Sequence, residues 1–219
     1  MITFEDIKNN ADIRTYIQCA DESLAALGFT EHSFAHVTRV AETAKYILET
    51  LGYSEHEVEL ARIAGFMHDI GNVVNRADHA QSGASMAFQL LTGRGMPAKE
   101  IGYVVSAIGH HDEGTAFPVN AIAAAVILAD KSDVRRSRVR NKENSTFDIH
   151  DRVNYAVEKS SLILNRSART ISLILSIDTS ICAVMDYFEI FLTRMMLSKR
   201  AAEYLDLSFK LEINGTQFL

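Results

Sequence analysis

The segment LARIAGFMHDIGN, residues Leu60–Asn72, decides the fold. Its apolar residues cover nearly every side of a helix, which predicts that the helix is buried. His68 and Asp69 lie inside this apolar segment. Burying an imidazole beside a carboxylate is costly unless something compensates both groups. A metal ion compensates both, because it binds a carboxylate and a neutral imidazole nitrogen. The alternative is that His68 and Asp69 form a hydrogen-bonded pair in the core.

Composition and charge are those of a globular protein with a sizeable core. The chain has 219 residues and a net charge of −6, which argues against nucleic acid as the main partner and leaves a small phosphorylated ligand open. No apolar run reaches the length of a membrane span. The N-terminal segment does not read as a signal peptide, and the two distant cysteines, Cys19 and Cys182, predict reduced thiols. Both features favour a cytoplasmic protein.

Apolar residues recur at helical spacing over the first 130 residues, which predicts a mainly α fold. Helices are expected at about 10–27 and 31–51. A third begins at Ser54 and carries the His68–Asp69 pair, and a fourth begins after an Asp78 cap. Two more begin at Pro97 and at Pro118, with Val119 and Asp130 on the inward side of the last one.

Beyond residue 140 the apolar residues recur at every second position. They do so in three segments, 153–157, 171–177 and 207–213, which is typical of strands. A helix is expected between the last two, at about 180–204. Together they predict a small antiparallel ββαβ unit after a loop at 141–146. We therefore divide the chain into a helical metal-binding domain, 1–140, and a small α+β unit, 141–219. The second unit is interpreted as a stabilising or dimer-forming appendage, with a homodimer left open.

Histidines are concentrated in the helical part. Seven of the eight lie between residues 32 and 111, and all of these except His56 fall at inward positions or helix ends. Asp69 and Asp130 accompany them. Each histidine alone is more often a core or surface residue. Together, imidazoles and carboxylates on adjacent helices predict a site for zinc, iron, manganese or nickel.

The order and spacing of these residues resemble the HD superfamily of metal-dependent phosphohydrolases. The matching elements are His36 in HVTRV, His68–Asp69 in MHDIG, His79 in HAQSGA, the doublet His110–His111 and Asp130 in LADKSD. The resemblance implies an HD-type helical bundle with one or two divalent transition metals in its middle. For two metals it implies that His36, His68 and Asp130 hold one, that His79, His110 and His111 hold the other, and that Asp69 bridges them.

The resemblance also implies an activity. A metal-bound hydroxide would attack phosphorus in a small phosphorylated compound, with nucleotides and phosphodiesters among the candidates, and His68 and Asp69 would be catalytic. The chain lacks the Gly-Tyr-Pro element of the cyclic-di-GMP phosphodiesterases in this superfamily. It also has Asn72 where several relatives have a lysine able to contact phosphate.

Substrate contacts are hypothesised for Lys131, Arg135 and Arg136, because bidentate arginine–phosphate contacts are strong. A solvated basic run, with Asp133 as an ion-pair partner, is the alternative. Asn72 and His32 are weaker candidates for the same role. Two other functions stay open: an HD-type di-iron oxygenase, and a non-catalytic signalling or scaffold protein that a metal stabilises.

Overall fold

The computed structural model describes residues 2–140 and 149–219, so the loop predicted at 141–146 lies outside the described residues. The first part is a bundle of helices, which confirms the predicted mainly α class. The helices are α1 (Phe4–Lys8), α2 (Ala11–Ala26), α3 (Phe34–Leu51), α4 (Glu55–Met67), α5 (His79–Thr92), α6 (Ala98–Gly109) and α7 (Ala121–Ser132). Two short 3₁₀ turns, Ile70–Val73 and Arg136–Arg138, follow α4 and α7.

The helices α3 and α4 form a closely packed pair. α4 begins with the capping box expected from the sequence, in which Ser54 and Glu57 each bond the other's backbone. Gly65 permits the close packing, because a Cβ atom there would lie 3.1 Å from the backbone of Ala41. The pair therefore brings the first turn of α3, with His36, beside the end of α4.

Helix α7 runs through the interior. Its residues from Ile122 to Ala129 are all buried, and the many alanines let neighbouring helices approach on several sides. A helix that is apolar all round belongs in a core. Asp130 follows this buried run directly, so its carboxylate enters the same interior, as the sequence predicts.

The C-terminal part contains α8 (Ile149–Ala156), β1 (Val157–Asn165), β2 (Thr170–Ile177), α9 (Val184–Tyr204), β3 (Ser208–Ile213) and β4 (Thr216–Gln217). The strands form one sheet in the order β1-β2-β3-β4. β1 and β2 form an antiparallel pair, as predicted. β3 also pairs antiparallel with β4, a short strand that the sequence pattern did not predict. The prediction was wrong for β2–β3, which is parallel, because α9 is a crossover that returns the chain to the same end of the sheet.

The first C-terminal strand begins later than predicted. Residues 153–156 belong to α8, because Val153, Ala156 and Val157 are buried at helical spacing. The alternation of apolar residues at 153–157 therefore does not mark a strand. The helix α9 packs on α7 and on β3, and buried residues of both parts form one hydrophobic cluster. The boundary at 140/141 stays a prediction, and it falls at the edge of the described residues.

One predicted helix cap and one predicted helix start were wrong. Asp78 has a left-handed φ of 55°, and its side chain caps nothing, although α5 does begin at the next residue. α7 begins at Ala121, three residues after Pro118, because Asn120 accepts the backbone N–H of Ala123 and caps the helix. Val119 therefore precedes the helix and is 41% exposed. None of the helices within 2–140 and 149–219 combines the length and apolar content that crossing a bilayer requires.

Candidate metal centre

The His68–Asp69 pair lies where α4 ends. His68 is the C-terminal cap of α4, and Asp69 precedes the 3₁₀ turn Ile70–Val73. This turn contacts α5 so closely that Gly71 has no room for a side chain: a Cβ atom there would lie 2.0 Å from the carbonyl oxygen of His79. The close contact fixes Asp69, before the turn, relative to His79 at the start of α5.

One oxygen of Asp69 faces two histidines from α3 and α4. Asp69 Oδ2 lies 3.0 Å from His68 Nε2 and 3.5 Å from His36 Nε2. Asp130 Oδ1, from α7, lies 3.3 Å from His36 Nε2 and 3.7 Å from His68 Nε2. The two Nε2 atoms are 3.3 Å apart. Atoms of His36, His68 and Asp130 thus converge on a volume that one cation could occupy.

The other oxygen of Asp69 faces a second pair of histidines. Asp69 Oδ1 lies 3.4 Å from His79 Nε2 and 3.8 Å from His111 Nε2, and these two nitrogens are 3.1 Å apart. His79 opens α5 and His111 follows α6. Asp112 lies at the margin, with Oδ1 4.0 Å from His79 Nε2. The carboxylate of Asp69 therefore stands between two imidazole pairs.

All four imidazoles are oriented in the same way. Each ring has Nδ1 against an oxygen that can only accept, so Nδ1 carries the hydrogen, and in the neutral ring Nε2 presents its lone pair to the centre. The acceptors are Asp133 Oδ2 for His36 (2.8 Å), the carbonyl of Gly65 for His68 (2.8 Å), the carbonyl of Arg76 for His79 (3.0 Å) and the carbonyl of Ile108 for His111 (2.6 Å).

These side chains fit a divalent transition metal. Neutral imidazoles with inward lone pairs only 3.1 and 3.3 Å apart repel each other unless a cation or proton lies between them. Asp69 Oδ2 is buried and accepts no hydrogen bond from any described residue, so a polar atom in the interior lacks a partner. Nitrogen and carboxylate donors of this kind suit zinc, iron, manganese and nickel.

The electrostatics of the cluster favour ionised carboxylates. Burial disfavours the carboxylate of Asp69, but the surrounding histidines, His68 foremost, together outweigh this effect and hold the pKa of Asp69 well below its usual value. The pKa of Asp130 is also held well below its usual value, against burial, with Lys131 the main opposing charge. Burial disfavours the imidazolium of His68, yet Asp69 and Asp130 raise the pKa of His68 to about 10. Two buried negative charges thus require protons on the imidazoles or a bound cation.

The remaining predicted ligand, His110, is placed differently. It is the C-terminal cap of α6, and its buried Nδ1 makes no hydrogen bond with the described residues. It is not among the residues whose contacts define the cluster. Asn72 supports the cluster directly, because its side-chain amide donates to Asp69 Oδ1 at 3.0 Å. The ring of His32 lies 5.4 Å from that of His36, and burial holds the pKa of His32 well below its usual value.

The basic residues predicted to contact substrate already have partners. Lys131 Nζ lies 2.7 Å from Asp130 Oδ2 and 3.2 Å from Glu113 Oε1. This leaves Asp130 Oδ1 to face the histidines. Arg135 pairs with Asp133, and Arg136 donates to the carbonyl of Tyr155.

Sequence reasoning missed the role of Asp133, which was considered only as an ion-pair partner of arginines. It does pair with Arg135 and with Arg39, but its other oxygen holds His36. Its position one helical turn after Asp130 was the available signal. Arg76 was also missed: its guanidinium lies 3.4 Å from His79 Nε2, and only its i+4 spacing from Asn72 pointed to it.

Comparison with known proteins identifies the family of this chain. The model of the HD domain family matches residues 33–153, more than half of the chain. An uncharacterised protein of Methanocaldococcus jannaschii is 24% identical over 170 residues, which are 67% of this chain. The chain spans 65% of that relative's length. A crystal structure of a predicted HD superfamily hydrolase from an uncultured Thermotogales bacterium is similar at 24% identity and a TM-score of 0.44, over 62% of this chain and 75% of that one. On the match to the family model, the chain belongs to the HD domain family.

Proposed function

We propose that this protein is a metal-dependent phosphohydrolase that acts on a small phosphorylated compound in the cytoplasm. Membership of the HD domain family supports a metal-dependent hydrolase at the level of the superfamily. The observation that carries the proposal is the placement of Asp69, whose two oxygens face two separate imidazole pairs. The free cysteines Cys19 and Cys182 agree with a reducing compartment.

The arrangement suits two adjacent cations that share Asp69. His36, His68 and Asp130 are the proposed ligands on one side, and His79 and His111 are those on the other. The prediction that His110 joins the second set stays a prediction. When bound, divalent cations would acidify a water molecule and offset negative charge on the phosphoryl oxygens.

The chain's own residues orient the ligands. Asp133 and three backbone carbonyls hold the Nδ1 hydrogens, so that every Nε2 lone pair faces inward. Lys131 holds the outer oxygen of Asp130, and Asn72 donates to Asp69 Oδ1. These contacts fix the ligand atoms before a metal arrives, which reduces the cost of ordering them on binding.

The test is metal content and hydrolysis measured on the same samples. Protein purified without chelators should contain a divalent transition metal and hydrolyse p-nitrophenyl phosphate or its bis ester. Asp69→Ala should lose both the metal and the activity. Asp12→Ala should lose neither, because Asp12 is exposed and pairs with Arg94 at the surface, at 3.6 Å. Full turnover by Asp69→Ala would overturn the assignment. Bound iron with an oxygen-dependent spectral change on adding substrate would instead select the di-iron oxygenase.

A further inference from the structure

A cavity of about 230 Å³ borders the metal-ligand cluster. It is walled by the loop before α3, by the segment between α4 and α5, and by α8 and α9 of the C-terminal part. It adjoins the cluster through His32, whose ring contacts that of His36, and through Arg76, which lies beside His79. The cavity is therefore the space from which a substrate would reach the cluster.

Three guanidinium groups line this cavity, and two of them already have partners. Arg138 is buried, and it donates to the carbonyls of Glu31 at 2.9 Å and of Asp133 at 2.8 Å. Arg194 of α9 pairs with Glu113 at 2.9 Å. These two side chains hold the walls together, because each is bound to a protein partner at an ordinary hydrogen-bond distance.

Arg76 is the exception. Its Nη1 lies 3.4 Å from both Asn72 Oδ1 and His79 Nε2, and these are long contacts for a hydrogen bond. Its guanidinium lies over the ring of Phe29, 5.8 Å from the centroid. It forms no ion pair with a carboxylate in the described ranges 2–140 and 149–219. A positive charge with spare donors thus faces the cavity directly beside an inward-facing Nε2 atom.

We propose that Arg76 binds the phosphoryl group of the substrate, and that the substrate is a compact phosphomonoester. This inference rests on the proposed function. A guanidinium offers donors in a fork that matches phosphoryl oxygens, and a phosphomonoester carries nearly two negative charges at neutral pH. Pockets that enclose drug-sized ligands have volumes of about 300–1,000 Å³. The volume of this cavity is smaller, which favours a compact monoester over a bulky diester such as a cyclic dinucleotide.

The test compares Arg76→Gln with Arg14→Gln. Arg14 is a matched control because its guanidinium also lies over a phenylalanine ring, that of Phe34, but outside the cavity. In manganese-loaded protein, Arg76→Gln should weaken the binding of inorganic phosphate about 10- to 100-fold by calorimetry, with unchanged metal content. The KM for p-nitrophenyl phosphate should rise by a similar factor. Arg14→Gln should match the wild type in each measurement.

A second substitution tests whether the loss of phosphate affinity in Arg76→Gln comes from the lost positive charge or from a change in local structure. The side chain of Asn72 lies between Asp69 and Arg76, so a lysine at position 72 brings a positive charge to the same face of the cavity. Adding Asn72→Lys to Arg76→Gln should recover part of the phosphate affinity, and Arg76→Lys should retain part of it. Phosphate affinity within twofold of wild type in Arg76→Gln would overturn the proposal, as would a wild-type protein that does not bind phosphate.

The failures of the two proposals are distinguishable. If the metal-loaded protein binds phosphate through Arg76 but hydrolyses no phosphoester, the hydrolase proposal fails and the anion site stands. If it hydrolyses phosphomonoesters at unchanged KM in Arg76→Gln, the site fails and the hydrolase stands. Faster turnover of bis-p-nitrophenyl phosphate than of the monoester would overturn the substrate class.

Discussion

The strongest prediction concerns Asp133→Asn, which removes one charge and no atom of the side-chain skeleton. Asp133 is buried, and its two oxygens pair with three side chains. Oδ2 accepts from His36 Nδ1 at 2.8 Å, and Oδ1 accepts from Arg135 Nε at 2.9 Å. Oδ1 also forms an ion pair with Arg39, whose Nε lies 3.1 Å away. An asparagine has a single oxygen, so one side of this arrangement must face its NH₂ group.

Two guanidinium donors attract the single oxygen more strongly than one imidazole N–H, because bonds to charged groups are about twice as strong. The NH₂ group of the asparagine then faces His36 Nδ1, and the imidazole moves its hydrogen to Nε2, the atom that faces the cluster. A metal can bind there only after that hydrogen is displaced. Loss of a partner of this kind costs about 10- to 100-fold in metal affinity, and we expect the upper half of this range.

The assay is competition for zinc or manganese between the protein and a chromogenic chelator at neutral pH. Asp12→Asn is the control, because that carboxylate pairs with Arg94 at the surface. Circular dichroism of the metal-free proteins establishes that both variants are folded. A metal affinity of Asp133→Asn within twofold of the wild type would refute the reasoning that the carboxylate sets the orientation of His36.

Two further substitutions test the packing and the charges around the cluster. Gly71→Ala would place a Cβ atom 2.0 Å from the carbonyl oxygen of His79, so the turn after Asp69 must move away from α5. It should lower the free energy of unfolding by about 1–3 kcal/mol in urea titrations and also weaken metal binding, and unchanged metal affinity would contradict this. Burial disfavours the carboxylate of Glu113, but Lys131 and Arg194 together lower the pKa of Glu113 from 4.5 to about 2. Its ionised form therefore stabilises the fold above pH 4.5, and this contribution is lost as the pH falls towards 2. As the pH falls from 4.5 to 2, the free energy of unfolding of the metal-free wild type should decrease more than that of Glu113→Gln. Parallel curves of unfolding free energy against pH for the two proteins would contradict the prediction.

The sequence predicts the helical part well because its signals are local. Apolar residues at helical spacing placed α2 and α3, and the Ser54–Glu57 capping box placed the start of α4. The same spacing put His36 and Asp130 on buried faces. Five or six side chains of matching chemistry on adjacent buried faces can only meet in the interior, so the cluster could be anticipated without coordinates.

The pairing of the strands could not be predicted from alternation alone. A period of two shows which residues share a face but carries no information about strand direction. The helix between β2 and β3 was the neglected signal, because a connection of that length permits a parallel crossover, whereas a short loop forces an antiparallel hairpin.

The contacts that orient the ligands were the hardest to predict, because they join residues far apart in the chain. Asp133 and His36 are 97 positions apart, and Arg194 reaches Glu113 across 81. Local spacing draws attention to Asp133, one turn after Asp130, but does not identify its distant partner His36. Arg76 was equally hidden, because its importance depends on a cavity that the C-terminal helices help to wall.

The C-terminal part is connected to the metal-ligand cluster by a series of ion pairs. Starting from α9, charges alternate in sign through Arg194, Glu113, Lys131 and Asp130, with successive contacts of 2.9, 3.2 and 2.7 Å. The last contact occupies Asp130 Oδ2 and leaves Oδ1 for the histidines. Removing Arg194 would leave Lys131 shared by two carboxylates without a second cation, in a region where unbalanced charge is costly. The position of α9 is thus linked through these ion pairs to the orientation of a proposed metal ligand, and buried residues of the two parts pack in one hydrophobic cluster.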